Sequence, residues 1–595
     1  MNAFQQRLVE FREKKAFSQL QLAEIMGVTR VTIVRWENGT AKPSPLAASK
    51  LGELGFGDVR AEETTLTEMP LRRLKGSKAE GEKDFEKNIN LAGVNEIQED
   101  TGKTRQITPA PYVINGPANQ IPLFEEMFKW QGLSKSILKG SWERRLSGVK
   151  SLDNGVTTAQ YQLEEPKNNA AHWDPNYGTH GWHRYIGRFP PHLIRAIINY
   201  FGAQKNHVVL DPFAGSGTTL VECRLLGVPA VGVDICPLSA MITRAKSQFP
   251  ENSASLKKTS KKFVEYFTPA WMEVTGMGNP DMMKTEDLLA WDQNIMESFP
   301  NIDKWLSGSA LAGIIISLAF AKTLKGYEQD AFLTALSGKM RSIGNLDVDV
   351  ARAEYSKVPR KNVNTNHLVM SALKGMTTDL ENVFNTHSDF ILPSDTITVL
   401  NEDILHVDKK IGDIDYIITS PPYGVEATSY LRTHLLSYRC LKPFLKEDPY
   451  DFGERVIGSE YVSEKANTKP NFAVWEISKS FKMFFDDCLK KITKPGLITR
   501  CHMMMDFFDD MYSLFKKFNR WLKKKGKIAF VIGNKRIDQW VIPTDKIIIE
   551  IAESCGLRLF NRLTHKLKCN NTNSQVPWQE RIIQEEAILF FEKEK

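Results

Sequence analysis

The segment that most constrains the fold of this chain is residues 207–219, which read HVVLDPFAGSGTT. The apolar run at 208–210 predicts a short buried strand that ends at Asp211. Small residues at 215–217 then predict a tight turn, and a helix is expected from there to Gly227. A strand, a glycine turn and a helix in this order bring backbone N–H groups close to a ligand. The spacing excludes a Walker loop, because no Lys-Ser or Lys-Thr follows the second glycine, and it excludes the three-glycine dinucleotide fingerprint.

A second segment has the same form. Residues 415–424 read DYIITSPPYG, so the strand expected at 416–419 ends in Ser-Pro-Pro-Tyr at 420–423. In an open α/β sheet, ligands bind outside the carboxyl ends of the strands. The two turns are therefore expected to meet at one edge of a sheet, although they lie far apart along the chain.

The two motifs together resemble one protein family. DPFAGSGTT resembles the cofactor loop of S-adenosylmethionine-dependent DNA amino-methyltransferases, and TSPPY resembles the catalytic motif of the same family. The resemblance covers residues 179–246 and 399–593 and leaves the segment between them unmatched. It implies an α/β fold, with a Rossmann-like methyltransferase sheet, helices on both faces and helical insertions. It also implies S-adenosyl-L-methionine as the cofactor.

The cofactor site follows from the resemblance and from the strand ends. The segment THGWHRY…FPPHL looks like the family segment that closes over the methionine part of the cofactor. Asp234 follows a second apolar strand, where a carboxylate can accept both ribose hydroxyls, and Asp403 would bond the adenine amino group. The residues expected at the cofactor are His183, Tyr185, Phe189, Asp211, Pro212, Phe213, Gly215, Gly217, Thr218, Asp234, Ile235, Asp403 and Ile404. Core packing for the aromatic residues and helix capping for Asp234 remain alternatives.

The Ser-Pro-Pro-Tyr turn suits methylation of a base amine. The exocyclic amine of cytosine or adenine is a poor nucleophile, since its lone pair is conjugated into the ring. The Ser420 side chain and the Pro421 carbonyl can each accept an amino hydrogen, and Pro422 fixes the turn. Tyr423 can stack on the base, which must leave the duplex to be reached. This chemistry needs no metal ion and no covalent intermediate, and we expect none.

The first residue of the tetrad bears on which base is modified. Serine at 420 resembles the N4-cytosine branch, whereas N6-adenine enzymes more often carry Asp or Asn there. C5-cytosine methylation is disfavoured, because it needs a cysteine after a proline and the chain has no Pro-Cys pair. The sequence predicts a DNA (cytosine-N4-specific) methyltransferase. The alternatives are an N6-adenine DNA methyltransferase and, from another class, a cofactor-sensing DNA-binding transcriptional regulator.

The N-terminus predicts a separate small all-α domain. SQLQLAEIMGVTRVTIVRWENGTAKPS resembles the helix-turn-helix of phage-repressor-like regulators, with apolar residues at helical spacing. In such folds the third helix enters the major groove by its N-terminal end. Thr29, Arg30, Thr32 and Arg35 are therefore expected to contact DNA. A three-helix packing module without a DNA role is the alternative.

Residue patterns divide the chain into five parts. The expected division is 1–58 as the helix-turn-helix domain, 59–120 as a linker, 121–246 as the cofactor-binding half, 247–392 as a helical insertion and 393–595 as the catalytic half. The insertion is the candidate target-recognition region, and its basic residues could line a DNA-facing side. After the catalytic turn, interleaved Tyr and Arg residues such as Tyr438 and Arg439 suit either DNA contact or ordinary packing.

Composition sets outer bounds. A chain of 595 residues should hold several domains, because one core rarely serves more than about 250–300 residues. The net charge of +7 permits a polyanionic partner, and we expect double-stranded DNA. Seven cysteines without a CxxC spacing, a polar N-terminus and a longest apolar run of only 310–321 favour a cytoplasmic protein without a membrane span. A cognate restriction endonuclease is a further expected partner, and the sequence does not indicate an oligomeric state.

Overall fold

The computed structural model describes part of the chain. The described residues are 3–15, Phe17, Gln19, Leu22, Ile25, Ile33, Trp36, Glu37, Leu51, 113–114, 149–151, 157–162, and 176–594 with gaps at 186, 293–294, 348–352, 357, 388–390, 408–410, 425–431, 448–451, 460–471, 538–539 and 567–584. The chain divides into two compact units, Met1–Thr104 and Arg105–Lys595, which are taken separately below.

The first unit has a helical core that the sequence predicts. Helix α1 spans Ala3–Lys14, and Leu8 on this helix is fully buried. Leu22, Ile33 and Trp36, expected on the inner faces of the second and third helices, are buried as well. Glu37 is also buried, and it accepts hydrogen bonds from Arg12 Nε and Gln19 Nε2, each over 2.6 Å.

The second unit is built on a ten-stranded sheet, with a separate two-stranded sheet of β9 and β10. The strands are β1 (Val113–Ile114), β2 (Val149–Ser151), β3 (Thr157–Gln162), β4 (Val209–Asp211), β5 (Ala230–Val233), β6 (Ile397–Leu400), β7 (Ile414–Thr419), β8 (Leu522–Gly533), β9 (Arg536–Ile537), β10 (Trp540–Val541), β11 (Leu557–Lys566) and β12 (Glu585–Lys593). The strand order is β1-β3-β11-β12-β8-β7-β4-β5-β6, and β2 pairs with β3. Strands β6, β5, β4, β7 and β8 are mutually parallel, so their carboxyl ends lie at one edge. Strand β12 runs antiparallel to β8, so its first residues lie at that same edge.

The described part of this unit also contains fourteen α-helices and five short 3-10 helices. The α-helices are α2 (Pro191–Phe201), α3 (Thr218–Leu225), α4 (Pro237–Ser247), α5 (Ala254–Thr275), α6 (Thr285–Leu289), α7 (Ile302–Trp305), α8 (Gly308–Thr323), α9 (Gly326–Ile343), α10 (Thr365–His387), α11 (Leu435–Leu445), α12 (Val474–Ile477), α13 (Lys479–Lys491), α14 (Pro495–Trp521) and α15 (Thr544–Ser554). Adjacent residues of a strand point to opposite faces of the sheet, so they pack in different hydrophobic cores. Ile418 packs with α2 on one face, whereas Ile417 packs with α14 and α15 on the other. The predicted sheet with helices on both faces is therefore confirmed.

The described residues between β5 and β6 are mainly helical, as the sequence predicts. The central helix α8 is buried from Ser309 to Ala321, because its sequence is apolar on every side. The insertion packs through this helix and its neighbours against α3 and α4 of the cofactor half. Among the helices that the structure describes, none combines the length and the apolar character needed to cross a bilayer.

Candidate functional site

The glycine turn and the double-proline turn meet at one edge of the sheet. Strands β4 and β7 are parallel neighbours, with Val209 opposite Tyr416. The buried carboxylate of Asp211 joins the two strand ends, because Thr419 Oγ1 donates to its Oδ1 over 2.8 Å and Thr219 Oγ1 donates to its Oδ2 over 2.6 Å. Burial raises the pKa of Asp211, against the hydrogen bonds from these hydroxyls, which lower it. The residue expected at the cofactor thus also couples the two turns.

The turn itself needs its glycines. Gly215 and Gly217 have φ values of +54° and +79°, and Gly217 precedes the first residue of α3, the buried Thr218. A Cβ on Gly217 would lie 2.9 Å from Thr243 Cγ2 and 3.1 Å from Thr243 Cα. Thr243, on α4, also donates from Oγ1 to the Gly215 carbonyl over 3.0 Å. Helix α4 therefore holds the turn tightly against the sheet edge.

Gly217→Ala is expected to lower the free energy of unfolding by about 1–3 kcal/mol more than Gly202→Ala. Both glycines have positive φ, but a Cβ on Gly202 meets nothing within 4 Å. The control therefore carries the same backbone strain without the contact with Thr243. Urea unfolding of the two variants measures the difference, and equal midpoints would show that the close approach is not needed.

Two flanking residues of the turn differ in exposure. Pro212 is buried and Phe213 is partly exposed, packing on the core beneath the sheet edge. Ser216 Oγ, inside the turn, is buried and has no hydrogen-bond partner among the residues that the structure describes. A buried hydroxyl of this kind needs a partner, so it is suited to a polar ligand group.

Asp234 stands at the carboxyl end of β5, beside the glycine turn. Its Oδ2 accepts from Gly215 N over 2.7 Å, and its Oδ1 accepts from Cys236 N over 2.9 Å. Burial raises the pKa of Asp234 to about 7, although these two N–H groups lower it. Asn401, after β6, donates from Nδ2 to the carbonyls of Asp234 and Ile235 over 2.9 and 3.0 Å. The sequence offered one signal for Asn401, a polar residue directly after a predicted strand.

Asp234 is expected to make stability depend on pH. Because its pKa rises from 3.8 to about 7 on folding, its favourable contribution is present below 3.8 and is lost as pH rises through about 7. Over this window the melting temperature of the wild type should fall relative to Asp234→Asn by about 2–4 °C. Thermal melts of both proteins between pH 4.5 and 8 measure how each melting temperature changes with pH. The raised pKa changes this slope, whereas the loss of the hydrogen-bond acceptor that Asn lacks shifts the melting temperature at every pH. Parallel profiles would contradict the raised pKa.

Asp403 shapes the turn that follows β6. Its Oδ1 accepts from Leu405 N over 2.9 Å, and its Oδ2 lies 2.8 Å from His406 Nδ1. Ile404, between them, is buried. Asp403 therefore lies on the predicted edge of the sheet with both oxygens engaged by its own turn, and an adenine contact would have to share them.

Of the three cofactor candidates that precede the glycine turn, only Tyr185 lies against that turn. Tyr185 Cε1 lies 3.6 Å from the position of a Cβ on Gly215, and its hydroxyl pairs with Ser239 Oγ over 2.9 Å. The Tyr185 ring stacks on His434, which sequence reasoning missed because no motif marks it. His183 is buried, and its Nε2 lies 2.9 Å from the hydroxyl of a serine on α9. Phe189 packs on the core beneath α2.

The Ser-Pro-Pro-Tyr turn leaves β7 with its polar groups partly exposed. Ser420, Pro422 and Tyr423 are partly exposed, whereas Pro421 is buried. Ser420 Oγ donates to Tyr423 Oη over 3.3 Å, and Tyr423 Oη donates to Glu586 Oε1 over 3.2 Å. Burial raises the pKa of Glu586, while the hydrogen bond from Tyr423 lowers it. Sequence reasoning missed Glu586, which is the second residue of β12 and lies far from the motif along the chain.

The environment of Cys236 disfavours a nucleophilic thiolate. Its thiol is buried, accepts from Ser239 Oγ over 3.0 Å and contacts the Tyr438 hydroxyl. Burial raises the pKa of Cys236 to about 12, so the thiolate is not accessible near neutral pH. This environment agrees with the prediction that C5-cytosine methylation is disfavoured.

Some of the residues predicted to contact DNA lie outside the described residues, and others lie within them. Thr29, Arg30, Thr32 and Arg35 lie outside the described residues, so their roles stay predictions. In the insertion, Arg360 Nη1 donates to the carbonyls at 341 and 342, which end α9. That guanidinium caps a helix, as cations do at carboxyl ends.

The Tyr and Arg residues after the catalytic turn favour packing. Tyr438 is 1% exposed, so its ring does not reach the surface where DNA would bind. Arg439 lies over the rings of Phe299 and Trp305, at 5.2 and 5.4 Å from their centroids. Both residues therefore pack on neighbouring side chains, Tyr438 fully buried and Arg439 partly exposed.

The parallel strands, with helices on both faces, bring the glycine turn and the Ser-Pro-Pro-Tyr turn to one edge of the sheet. Residues 123–240 match the DNA methylase family of N6 and N4 enzymes, and residues 8–54 match the helix-turn-helix family. The resemblance seen in the sequence is therefore confirmed: the chain carries a DNA methylase segment of the N6/N4 type together with a helix-turn-helix.

Curated relatives agree with this assignment. The chain is 25% identical over 459 residues to type II methyltransferase M.BsoBI of Geobacillus stearothermophilus, covering 70% of this chain and 86% of that protein. It is 26% identical over 398 residues to type II methyltransferase M.MvaI of Kocuria varians, covering 63% of this chain and 80% of that protein. A solved structure, TrmN from Thermus thermophilus, is 10% identical with a TM-score of 0.22, covering 69% of this chain and 50% of that chain, which is too low to inform the fold. The chain is homologous to type II methyltransferases.

Proposed function

We propose that the chain transfers a methyl group from S-adenosyl-L-methionine to the exocyclic N4 of cytosine in duplex DNA, within a restriction-modification or defence system. One observation carries this proposal. The Asp211 carboxylate binds Thr219 beyond the glycine turn and Thr419 beside Ser420, so the turn for a cofactor adjoins the turn for an amine. A methyl donor and an acceptor base need this proximity and alignment.

The residues around the glycine turn fit the cofactor. Ser216 offers a buried hydroxyl that lacks a partner among the described residues, and Asp234 offers a carboxylate at the end of β5 where a ribose would lie. Tyr185 lies over the turn and would cover the methionine part. When bound, the cofactor supplies an electrophilic methyl group on a positively charged sulfur.

The catalytic turn would hold and orient the base amine. Ser420 Oγ and the Pro421 carbonyl each accept an amino hydrogen, which draws the nitrogen lone pair out of conjugation with the ring. The lone pair would then form the new N–C bond while the S–C bond breaks and S-adenosylhomocysteine leaves, and the methylated amine would lose one proton to water. Tyr423 stacks on the base after it has left the duplex. The rate enhancement comes mainly from orientation and fixed hydrogen-bond acceptors.

The choice of cytosine rests on Ser420. Serine at the first position of the tetrad resembles the N4-cytosine branch, whereas Asp or Asn is more frequent in N6-adenine enzymes. The second candidate, N6-adenine methylation, uses the same geometry with a different base.

The remaining parts of the chain have roles in the same proposal. The helix-turn-helix domain, 1–58, adds DNA affinity through Thr29, Arg30, Thr32 and Arg35. The linker, 59–120, joins it to the cofactor half, 121–246, and the insertion, 247–392, contributes to target recognition before the catalytic half, 393–595. A cognate restriction endonuclease would cleave DNA that lacks the modification.

Nucleoside analysis tests the proposal. The purified full chain is incubated with duplex DNA and methyl-labelled S-adenosylmethionine, and the DNA is digested and separated by chromatography with mass detection. We expect label in N4-methylcytosine. Label in N6-methyladenine alone would establish the second candidate. Cofactor binding without any transfer to DNA would instead favour the cofactor-sensing regulator.

A further inference from the structure

Two successive hydrogen bonds, here called the hydrogen-bond line, run from Ser420 through Tyr423 to Glu586, a residue outside the motif. Ser420 Oγ donates to Tyr423 Oη over 3.3 Å, and Tyr423 Oη donates to Glu586 Oε1 over 3.2 Å. Both distances exceed those of strong O–H···O bonds, as catalytic hydrogen bonds often do before a substrate closes the site. Glu586 reaches this position because the start of β12 pairs with Gly533 at the carboxyl end of β8.

We propose that Glu586 is a positioning residue that fixes the direction of this line, so that Ser420 presents lone pairs, and not its proton, to the substrate amine. The proposal rests on the proposed function, since it concerns the same amine. It adds a residue from the last strand of the sheet to a site that the sequence motif alone places on β7.

The direction of the line matters because a hydroxyl has one donor and two acceptor positions. While Glu586 accepts from Tyr423, the Tyr423 oxygen accepts from Ser420, and both lone pairs of Ser420 Oγ stay available. Without the acceptor at 586, the Tyr423 hydroxyl can turn and donate to Ser420. The Ser420 proton would then point at the amine nitrogen and compete for the lone pair that must attack the methyl group.

The surroundings of Glu586 suit this task. The side chain is mostly buried, and a buried acceptor needs a donor, which Tyr423 provides. The Tyr423 ring is partly buried and packs on the cores of both sheet faces, so the phenol is held in place while its hydroxyl selects a direction.

Four variants of the full chain test the proposal. Glu586→Leu removes the acceptor and should lower kcat for methyl transfer about tenfold, the effect of losing one hydrogen bond of this kind. Glu586→Gln keeps an acceptor oxygen and should stay within about threefold of the wild type. Tyr423→Phe keeps the aromatic face and should match Glu586→Leu. The double variant Tyr423→Phe with Glu586→Leu should be no slower than Tyr423→Phe alone.

Glu592→Leu is the matched control. It changes the same residue type on the same face of β12, but near the opposite edge of the sheet, where Glu592 pairs with Arg558 over 2.9 Å. This variant should keep the wild-type kcat. Calorimetry with S-adenosylhomocysteine and with target DNA should give unchanged affinities for all Glu586 variants, and thermal melts exclude loss of folding as the cause.

Three results would overturn the inference. They are a wild-type kcat for Glu586→Leu, an equal loss for Glu586→Gln and Glu586→Leu, or additive effects in the double variant. If Glu586→Leu does not fold, the kcat of Tyr423→Phe is compared with that of Tyr423→Phe/Glu586→Gln. A lower kcat in the double variant would show that residue 586 does not act through Tyr423. A wild-type protein that methylates no DNA would overturn the proposed function and this inference with it, whereas an active wild type leaves the inference to the variants.

Discussion

Ser420→Ala is expected to slow methyl transfer to DNA by about 10²–10³-fold while leaving cofactor binding intact. Ser420 stands at the end of β7 with its side chain partly exposed, where it can accept a hydrogen from the base amine. Its neighbour Thr419 keeps the bond to Asp211 in the variant, so the glycine turn should not move. Single-turnover transfer of labelled methyl measures the chemical step, and calorimetry with S-adenosylhomocysteine measures binding.

The control for this variant is Ser554→Ala. Ser554 ends α15 at the other edge of the sheet, where its hydroxyl donates to the Ile551 carbonyl over 2.7 Å. It should transfer methyl groups at the wild-type rate. A wild-type rate for Ser420→Ala would remove Ser420 from the mechanism. A loss of S-adenosylhomocysteine affinity as large as the loss of rate would place its effect on the cofactor instead.

Strands β4 and β5 and the last part of β7 could be predicted from sequence because they are largely buried on both faces of the sheet. Such strands are short continuous apolar runs, which turn residues delimit. The residues 397–400 also predict a strand, and β6 has the same bounds, while the strand expected at 416–419 is the last part of β7. The sequence also predicts a strand at 527–533, but β8 begins five residues earlier, at Leu522, because Lys523, Lys524 and Lys525 make its first residues resemble a loop.

Pairings across long sequence distances could not be predicted. The sequence predicts strands at 557–567 and 586–592 as an antiparallel pair at the edge of the sheet, but β11 also pairs in parallel with β3. Asn401, His434 and Glu586 escaped notice for the same reason, since each acts through a partner on another element. A polar residue in sequence carries no sign of which distant group it will meet.

The role of Asp211 shows both the reach and the limit of sequence reasoning. Its position at the end of β4 follows from the motif, and so does its closeness to the glycine turn. The bond to Thr419 does not, because it requires the register in which Val209 faces Tyr416. The motif therefore identifies the parts of the site, and the sheet register decides how they are joined.

Glu222→Ala is expected to lower the free energy of unfolding by about 3–5 kcal/mol, because it leaves a buried cation without its partner. Glu222 on α3 is fully buried and accepts from Arg195 Nε over 2.5 Å, from His180 Nε2 over 2.7 Å and from the Tyr177 hydroxyl over 2.5 Å. Burial alone would raise the pKa of Glu222, but Arg195 and these hydrogen bonds lower it to about 2. Its contribution is therefore present above pH 4.5 and is lost as pH falls through about 2.

The same substitution should also weaken the cofactor site. Tyr177 and His180 hold in place the segment that contains Tyr185, which lies beside the glycine turn. Loss of their hydrogen bonds to Glu222 should therefore reduce the affinity for S-adenosylhomocysteine. The matched control is Asp330→Ala, which breaks the partly exposed pair with Arg244 and should cost only about 0–1 kcal/mol. Adding Arg195→Met to Glu222→Met should recover much of the stability, since it removes the unpaired charge. Urea unfolding separates these cases: a Glu222→Ala midpoint no lower than that of Asp330→Ala would show that the buried network does not hold the segment in place.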